Sequence, residues 1–112
     1  RSPELYAFLS KRAVPTLVAW SYVPGYDQPS TGFDNRASMA AICRLVIGHC
    51  HRKIACISAP TASNDRARGR VNGTRHALAA AGLDGGGLRL IETPYGIENG
   101  ETAFREIMAA DP

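Results

Sequence analysis

Apolar positions in this chain follow two rhythms. Val14 to Trp20 ("VPTLVAW") and Lys53 to Ala59 ("KIACISA") are near-continuous apolar runs rich in β-branched residues, the pattern of strands buried on both faces. "LRLIETPYG" holds a further strand from about Leu88 to Thr93, and Ser30 to Asp34 ("STGFD") a brief one. Between them the apolar spacing changes to threes and fours, which predicts helices. Pro3 to Lys11 places Leu5, Phe8 and Leu9 on one side, with Pro near its first turn. A helix capped by Asp34 or Asn35 presents Met39, Ile42, Cys43, Val46 and Cys50. A third, capped by Ser63 or Asn64, runs its stripe through Ala67, Val71, Leu78 and Ala81 to a left-handed stop at Gly82. A last helix, roughly 98 to 109, turns Ala103, Phe104, Ile107 and Met108 inward.

The order helix, strand, strand, helix, strand, helix, strand, helix predicts an α/β fold with mainly parallel sheets and helices on both faces. No internal repeat emerges, and no strand follows the last helix to cover it. The expectation is therefore part of a domain, with apolar surface and open sheet edges in the isolated chain.

Composition narrows the class without fixing it. The chain has 112 residues, 45% hydrophobic and 21% charged, ordinary for a globular protein. No apolar run has membrane-spanning length, and no basic, apolar, small-residue order marks a signal peptide, so no membrane partner is expected. The first residue is Arg1, and an upstream segment is expected to precede it. Cys43, Cys50 and Cys56 are odd in number at spacings of 7 and 6. That argues against a disulfide framework and for a reducing compartment, the cytoplasm. The net charge of +3 is slight, and the arginines lack interleaved aromatics, so direct nucleic-acid binding by this segment has little support.

Catalytic and metal chemistry also find little. In "GHCHR", 48 to 52, adjacent side chains do not converge easily on one ion, and no second Cys/His pair lies nearby, so no metal is expected. There is no G-x-S-x-G elbow, and the "DGGG" of 84 to 87 neither follows a strand nor opens a helix as a phosphate cradle does. No cofactor and no enzymatic activity are expected.

The stretch "PTASNDRARGR" of 60 to 70 breaks a rule. A helix N-terminus carries positive partial charge and favours acids, yet Arg66, Arg68 and Arg70 crowd this one and only Asp65 obeys. In parallel α/β sheets, ligands bind beyond the carboxyl ends of strands, where this stretch lies. Arg66 and Arg70 are four apart and share a helical face; Arg68 and Arg75 point elsewhere, into solvent. Asn64 adds an amide, and Trp20, Phe33 and Tyr95 stand at the ends of other strands. Aromatic faces beside planar forks suit a sugar: the ring takes C–H groups and the forks take hydroxyl pairs. A charged surface helix is the plain alternative.

The segments "STGFDNRASMAA", "HRKIACISAPTASNDRARGRVNGTRHALAAAGL" and "ETPYGIENGETAFREI" together resemble the effector-binding domain of LacI/GalR-family transcriptional regulators, from about Pro3 to Pro112. The motifs carrying it are the G-x-D-N step into a helix, His-Arg-Lys-Ile before a strand, and Arg-x-x-Gly followed by "ALAAAGL". The resemblance implies a periplasmic-binding-protein-like fold of two α/β lobes with the effector in the cleft between them. Residues 1–34 would end the first lobe and 35–112 begin the second. Ligand contacts would come from Trp20, Phe33, Asp34, Asn64, Arg66, Arg70 and Tyr95, with Arg70 the arginine of Arg-x-x-Gly. The implied protein is a cytoplasmic, homodimeric repressor that answers a sugar or related small polar effector and binds operator DNA through an upstream domain absent from this chain. A periplasmic sugar-binding protein of a transport system is the alternative on the same fold, and a small α/β enzyme a more distant one. Three positions depart from the family pattern: Trp20 where an effector-binding Asp is common, Cys50 for Gly, and Thr74 for an aromatic.

Overall fold

A computed structural model describes residues 3–22, 25, 28–85 and 87–110. Parts of the loops foreseen at 21–29 and 84–87 lie outside the described residues. The elements follow the expected order: α1 Pro3–Lys11, β1 Val18–Ala19, β2 Ser30–Thr31, α2 Asn35–Gly48, β3 Ala55–Ser58, α3 Asp65–Ala80, β4 Arg89–Glu92 and α4 Ile97–Ala110. Both sheets are two-stranded and parallel. β1 pairs with β2, Val18 opposite Ser30, and β3 with β4, Ala55 opposite Arg89 through Ser58 opposite Glu92. The chain is an α/β fold with parallel strands.

Strand lengths are shorter than the apolar runs suggest. The 14–20 run is not a strand buried on both faces: only Val18 and Ala19 pair, while Val14, Leu17 and Trp20 are exposed. Among the described residues a single partner strand flanks it and no helix covers it, so its apolar content meets solvent. β2 likewise stops at Thr31, because Gly32 turns the chain hard against β1. A Cβ there would lie 2.5 Å from the Ser21 nitrogen and 2.7 Å from the Trp20 carbonyl carbon. Trp20 itself has φ +70°, an unusual conformation for an aromatic residue.

Helix termini follow local chemistry. Asp34 caps α2, its Oδ1 accepting from the Arg36 and Ala37 amides at 2.9 Å each. Asn64 caps α3 by accepting from Ala67 N at 3.1 Å. α3 ends as foreseen: Gly82 takes φ +70°, its amide donates to Ala79 O, and the Leu83 amide donates to Leu78 O. α2 runs out through Cys50 at φ +68°, a left-handed position that a side chain occupies at a cost and glycine does not.

The core lies where α2 and α3 cross. Ala40, Cys43 and Ala77 are buried together with Met39 packed on them, and Val71, Thr74 and Leu78 are also buried. The expected inner faces of two helices are therefore corrected. On α2 the buried residues are Asn35, Ala40 and Cys43, while Ile42 is exposed. On α4 only Ala103 is buried, with Phe104 and Met108 exposed. For α2 the reason is close approach: a Cβ on Gly73 would fall 2.2 Å from the Arg36 carbonyl oxygen, so α3 meets α2 along its small-residue side rather than its bulky one. α3 and α4 both pack on β3, and Arg89 at the start of β4 donates to the Glu106 carbonyl on α4.

Candidate functional site

The α2–α3 crossing fixes a polar contact between the two helices. Asn35, in the first turn of α2, is 4% exposed. Its Oδ1 accepts from Arg70 Nε at 3.0 Å, and its Nδ2 reaches the Phe33 carbonyl at 3.5 Å. One turn on, Thr74 Oγ1 donates to the Arg70 carbonyl, and Cys43 Sγ donates weakly to Thr74 Oγ1 at 3.6 Å. Gly69 and Gly73 flank Arg70 on α3 and let the two backbones approach. The Arg-x-x-Gly spacing thus has a physical reason: the glycine brings α2 close enough for a buried amide to aim the arginine. From the sequence Asn35 reads only as a helix cap, and its place in the D-N step before Arg-x-x-Gly is the signal that marks it.

Beyond the carboxyl ends of β3 and β4 opens a cleft of about 250 Å³. Ser58, Ala59, Thr93 and Pro94 form its floor, and Ala67, Arg70 and Tyr95 its sides. The Asn64 amide donates to the Tyr95 hydroxyl at 3.0 Å, which joins α3 to the loop after β4 across the rim. Tyr95 presents 74% of its surface to solvent, an open ring face at the mouth. Cys56 and Met39 line the inner wall, and burial, reinforced by nearby Cys43 and opposed by Arg75, raises the Cys56 thiol above its ordinary range. A larger depression beside Arg36, Arg75 and His76 is broad and open, away from the strand ends.

The loop 60–63 is held on both sides. Thr61 N donates to Glu92 Oε1 at 3.0 Å, and Arg68 Nη1 donates to the Thr61 carbonyl at 2.9 Å and to Ala62 O at 3.5 Å. Arg68 is therefore not an idle solvated charge. It ties down the segment that carries Asn64, which answers part of the puzzle of three arginines at one helix start.

Of the residues singled out from sequence, Arg70 and Tyr95 line the cleft and Asn64 is bonded to its rim. Arg66 stands one turn nearer the start of α3, exposed and without a partner among the described residues. Asp34 spends Oδ1 on the α2 cap, next to the Asn35 that holds Arg70. Trp20 and Phe33 lie at the ends of β1 and β2, 69% and 48% exposed, and do not line this cleft. No group of three His, Cys, Asp or Glu lies together among the described residues, and no helix there is long and apolar enough to cross a membrane.

No protein-family model and no curated protein matches the chain. Solved structures do. A LacI family transcriptional regulator from Silicibacter pomeroyi superposes with a TM-score of 0.82 over 98% of this chain, at 22% identity. The fold is that of LacI-family regulators. The Cra transcriptional dual regulator of Pseudomonas putida, in complex with fructose 1-phosphate, matches 97% of the chain at 16% identity with a TM-score of 0.74. A LacI family regulator from Enterococcus faecium with bound ribose matches 96% at 17% identity with a TM-score of 0.73. The chain spans about two fifths of each, 41%, 39% and 40% in that order. In this LacI-like fold the glycine-assisted crossing of α2 and α3 and the cleft over β3 and β4 are the features that position polar side chains.

Proposed function

We propose that this chain is part of the effector-binding region of a LacI-type transcriptional regulator, a repressor that senses a sugar or related small polar molecule. The observation that carries the reading is the Asn35–Arg70 pair, aimed into a cleft beyond parallel strand ends in a LacI-like fold. A guanidinium held at Nε by a buried amide keeps its outer N–H groups free for a ligand, at reduced entropic cost on binding. Tyr95 supplies the stacking face, and Asn64 and Arg66 the polar rim. Trp20, Phe33 and Asp34 approach from the first lobe, whose end is residues 1–34, while 35–112 begin the second.

Ligand closes the two lobes and shifts a homodimer between DNA-bound and released states, reciprocally by linkage. DNA contact belongs to an upstream domain, the protein works in the cytoplasm, and it has no catalytic role. Matches among regulators favour this reading over a transport-associated binding protein. The test is a thermal-shift screen of sugars and sugar phosphates on the full-length protein, followed by DNA retention on genomic fragments with and without each hit. A ligand at a hundred times its Kd stabilises by about 2.7 kcal/mol, readily seen. A hit that leaves DNA retention unchanged would sink the regulator assignment.

A further inference from the structure

Three sulfur side chains that are scattered in the sequence meet behind the cleft. Met39 and Cys43 lie four residues apart on α2 and occupy the same helical face. Cys43 is buried, and Met39 packs on the small cluster that it forms with Ala40 and Ala77. Cys56, on β3, lines the cleft together with Met39, and both are half-buried. Cys43 stands near enough to Cys56 that its charge would oppose a second thiolate there. Neither is in a disulfide, and the third cysteine, Cys50, is exposed just beyond the end of α2. Adjacent side chains at 48–52 do not converge on an ion, but the fold gathers 39, 43 and 56.

The donor set decides which ion fits. Zinc takes four ligands from Cys, His and carboxylates, and no His, Asp or Glu joins these two cysteines among the described residues. Two thiolates and a thioether are a soft set, which selects Cu(I). A supporting contact is in place: Thr74 Oγ1 lies 3.6 Å from Cys43 Sγ and accepts from the thiol, and the same hydroxyl can turn to donate to a thiolate. The cleft, which Cys56 and Met39 line, is the way in. We infer that Met39, Cys43 and Cys56 form a site for one soft monovalent cation, Cu(I), at the inner wall of the cleft. Binding releases the two thiol protons and leaves a copper(I) bis-thiolate with one net negative charge, and no oxidation state changes. The site stands whether or not the cleft also takes an effector.

Anaerobic titration of the reduced full-length protein with Cu(I), in competition with bathocuproine disulfonate, tests this. Cys50→Ser serves as the background, so that the exposed thiol at 48–52 contributes nothing. This protein should retain copper against the chelator and hold Zn(II) far more weakly. Adding Cys56→Ser should weaken retention about a hundredfold or more, at least what loss of a supporting residue costs. Adding Met39→Leu, which keeps the volume and removes the sulfur, should weaken it several-fold. Bound copper should also shield Cys43 and Cys56 from iodoacetamide, read peptide by peptide in a mass spectrometer. That measurement needs no substitution at buried Cys43, so it holds if Cys43 variants fold poorly. X-ray absorption at the copper edge should show sulfur neighbours alone. Retention unchanged by Cys56→Ser and Met39→Leu overturns the assignment. So does retention that vanishes with Cys50→Ser alone, which would put the ion at 48–52, and so does a protein that keeps no copper. None of these results bears on sugar binding, which the thermal-shift screen reads separately.

Discussion

Arg70 does two jobs at once, and its neighbour Asn35 decides how well. The Nε···Oδ1 bond of 3.0 Å satisfies an amide that is 4% exposed, and it fixes which edge of the guanidinium faces the cleft. Removing Arg70 leaves the buried Asn35 amide oxygen short of a bond, whereas the guanidinium left by removing Asn35 is exposed to water. Arg70→Ala should cost about 1–3 kcal/mol of folding stability and Asn35→Ala about 0.5–1.5 kcal/mol, the net worth of an ordinary hydrogen bond. The double variant should fall short of their sum by roughly 0.5–3 kcal/mol, as contacting residues do. Urea denaturation of the four proteins in the cycle measures this, and full additivity would show that the bond carries no energy. Arg68 works differently, through backbone carbonyls of the loop that leads into α3. Cys50, at φ +68° where a glycine fits without strain, is a residue whose cost is local and whose side chain is exposed.

At the scale of elements, the α2–α3 pair organises the site. Gly73 sits where a Cβ would collide with the Arg36 carbonyl oxygen at 2.2 Å, a backbone atom that moves only if α2 moves. Gly73→Ala gains about 1 kcal/mol of helix propensity but forces the helices apart, and overpacking of this kind costs about 1–3 kcal/mol. The net effect should be destabilising, with Arg70 displaced from Asn35. Gly48→Ala is the control, since nothing lies within 4 Å of its Cβ position at the end of α2. It should be neutral or stabilising by up to about 1 kcal/mol. Thermal denaturation of both variants separates a packing glycine from a dispensable one, and equal behaviour would contradict the crossing geometry. The loop between β3 and α3 is a second device at this scale, held by a strand-end carboxylate on one side and a helix arginine on the other.

Across the whole molecule, surface is abundant. The accessible area is 7755 Å², where a folded monomer of this mass shows roughly 6,000 Å². The radius of gyration is 16.6 Å against roughly 13 Å for a compact domain of this length. Leu17, Trp20, Leu45, Ile97 and Phe104 are all more than half exposed, and β1–β2 and β3–β4 each have unpaired outer edges among the described residues. Such a surface favours association. The 112-residue chain on its own should dimerise or aggregate at high concentration. Sedimentation equilibrium checks it, and a stable compact monomer near 12 kDa throughout would contradict it.

The sequence by itself determined the kinds of elements, their order and their caps, because these depend on neighbours within a few residues. The Asp34 and Asn64 caps, the Gly82 stop and the parallel α/β order were legible in side-chain chemistry and apolar spacing. So was the cleft's place after the strand ends, with Arg70 and Tyr95 on it. Apolar spacing could not say which face of a helix is covered, because that depends on what packs there. Ile42 and Phe104 belong to regular stripes yet meet solvent, while Gly73 and Asn35, invisible to hydrophobic counting, control the contact. The same limit applied to the arginines. Three identical side chains within five residues received three roles, one aimed by a buried amide, one spent on loop carbonyls and one left at the surface. Only the tertiary arrangement supplies partners for a guanidinium, and partners decide what it does.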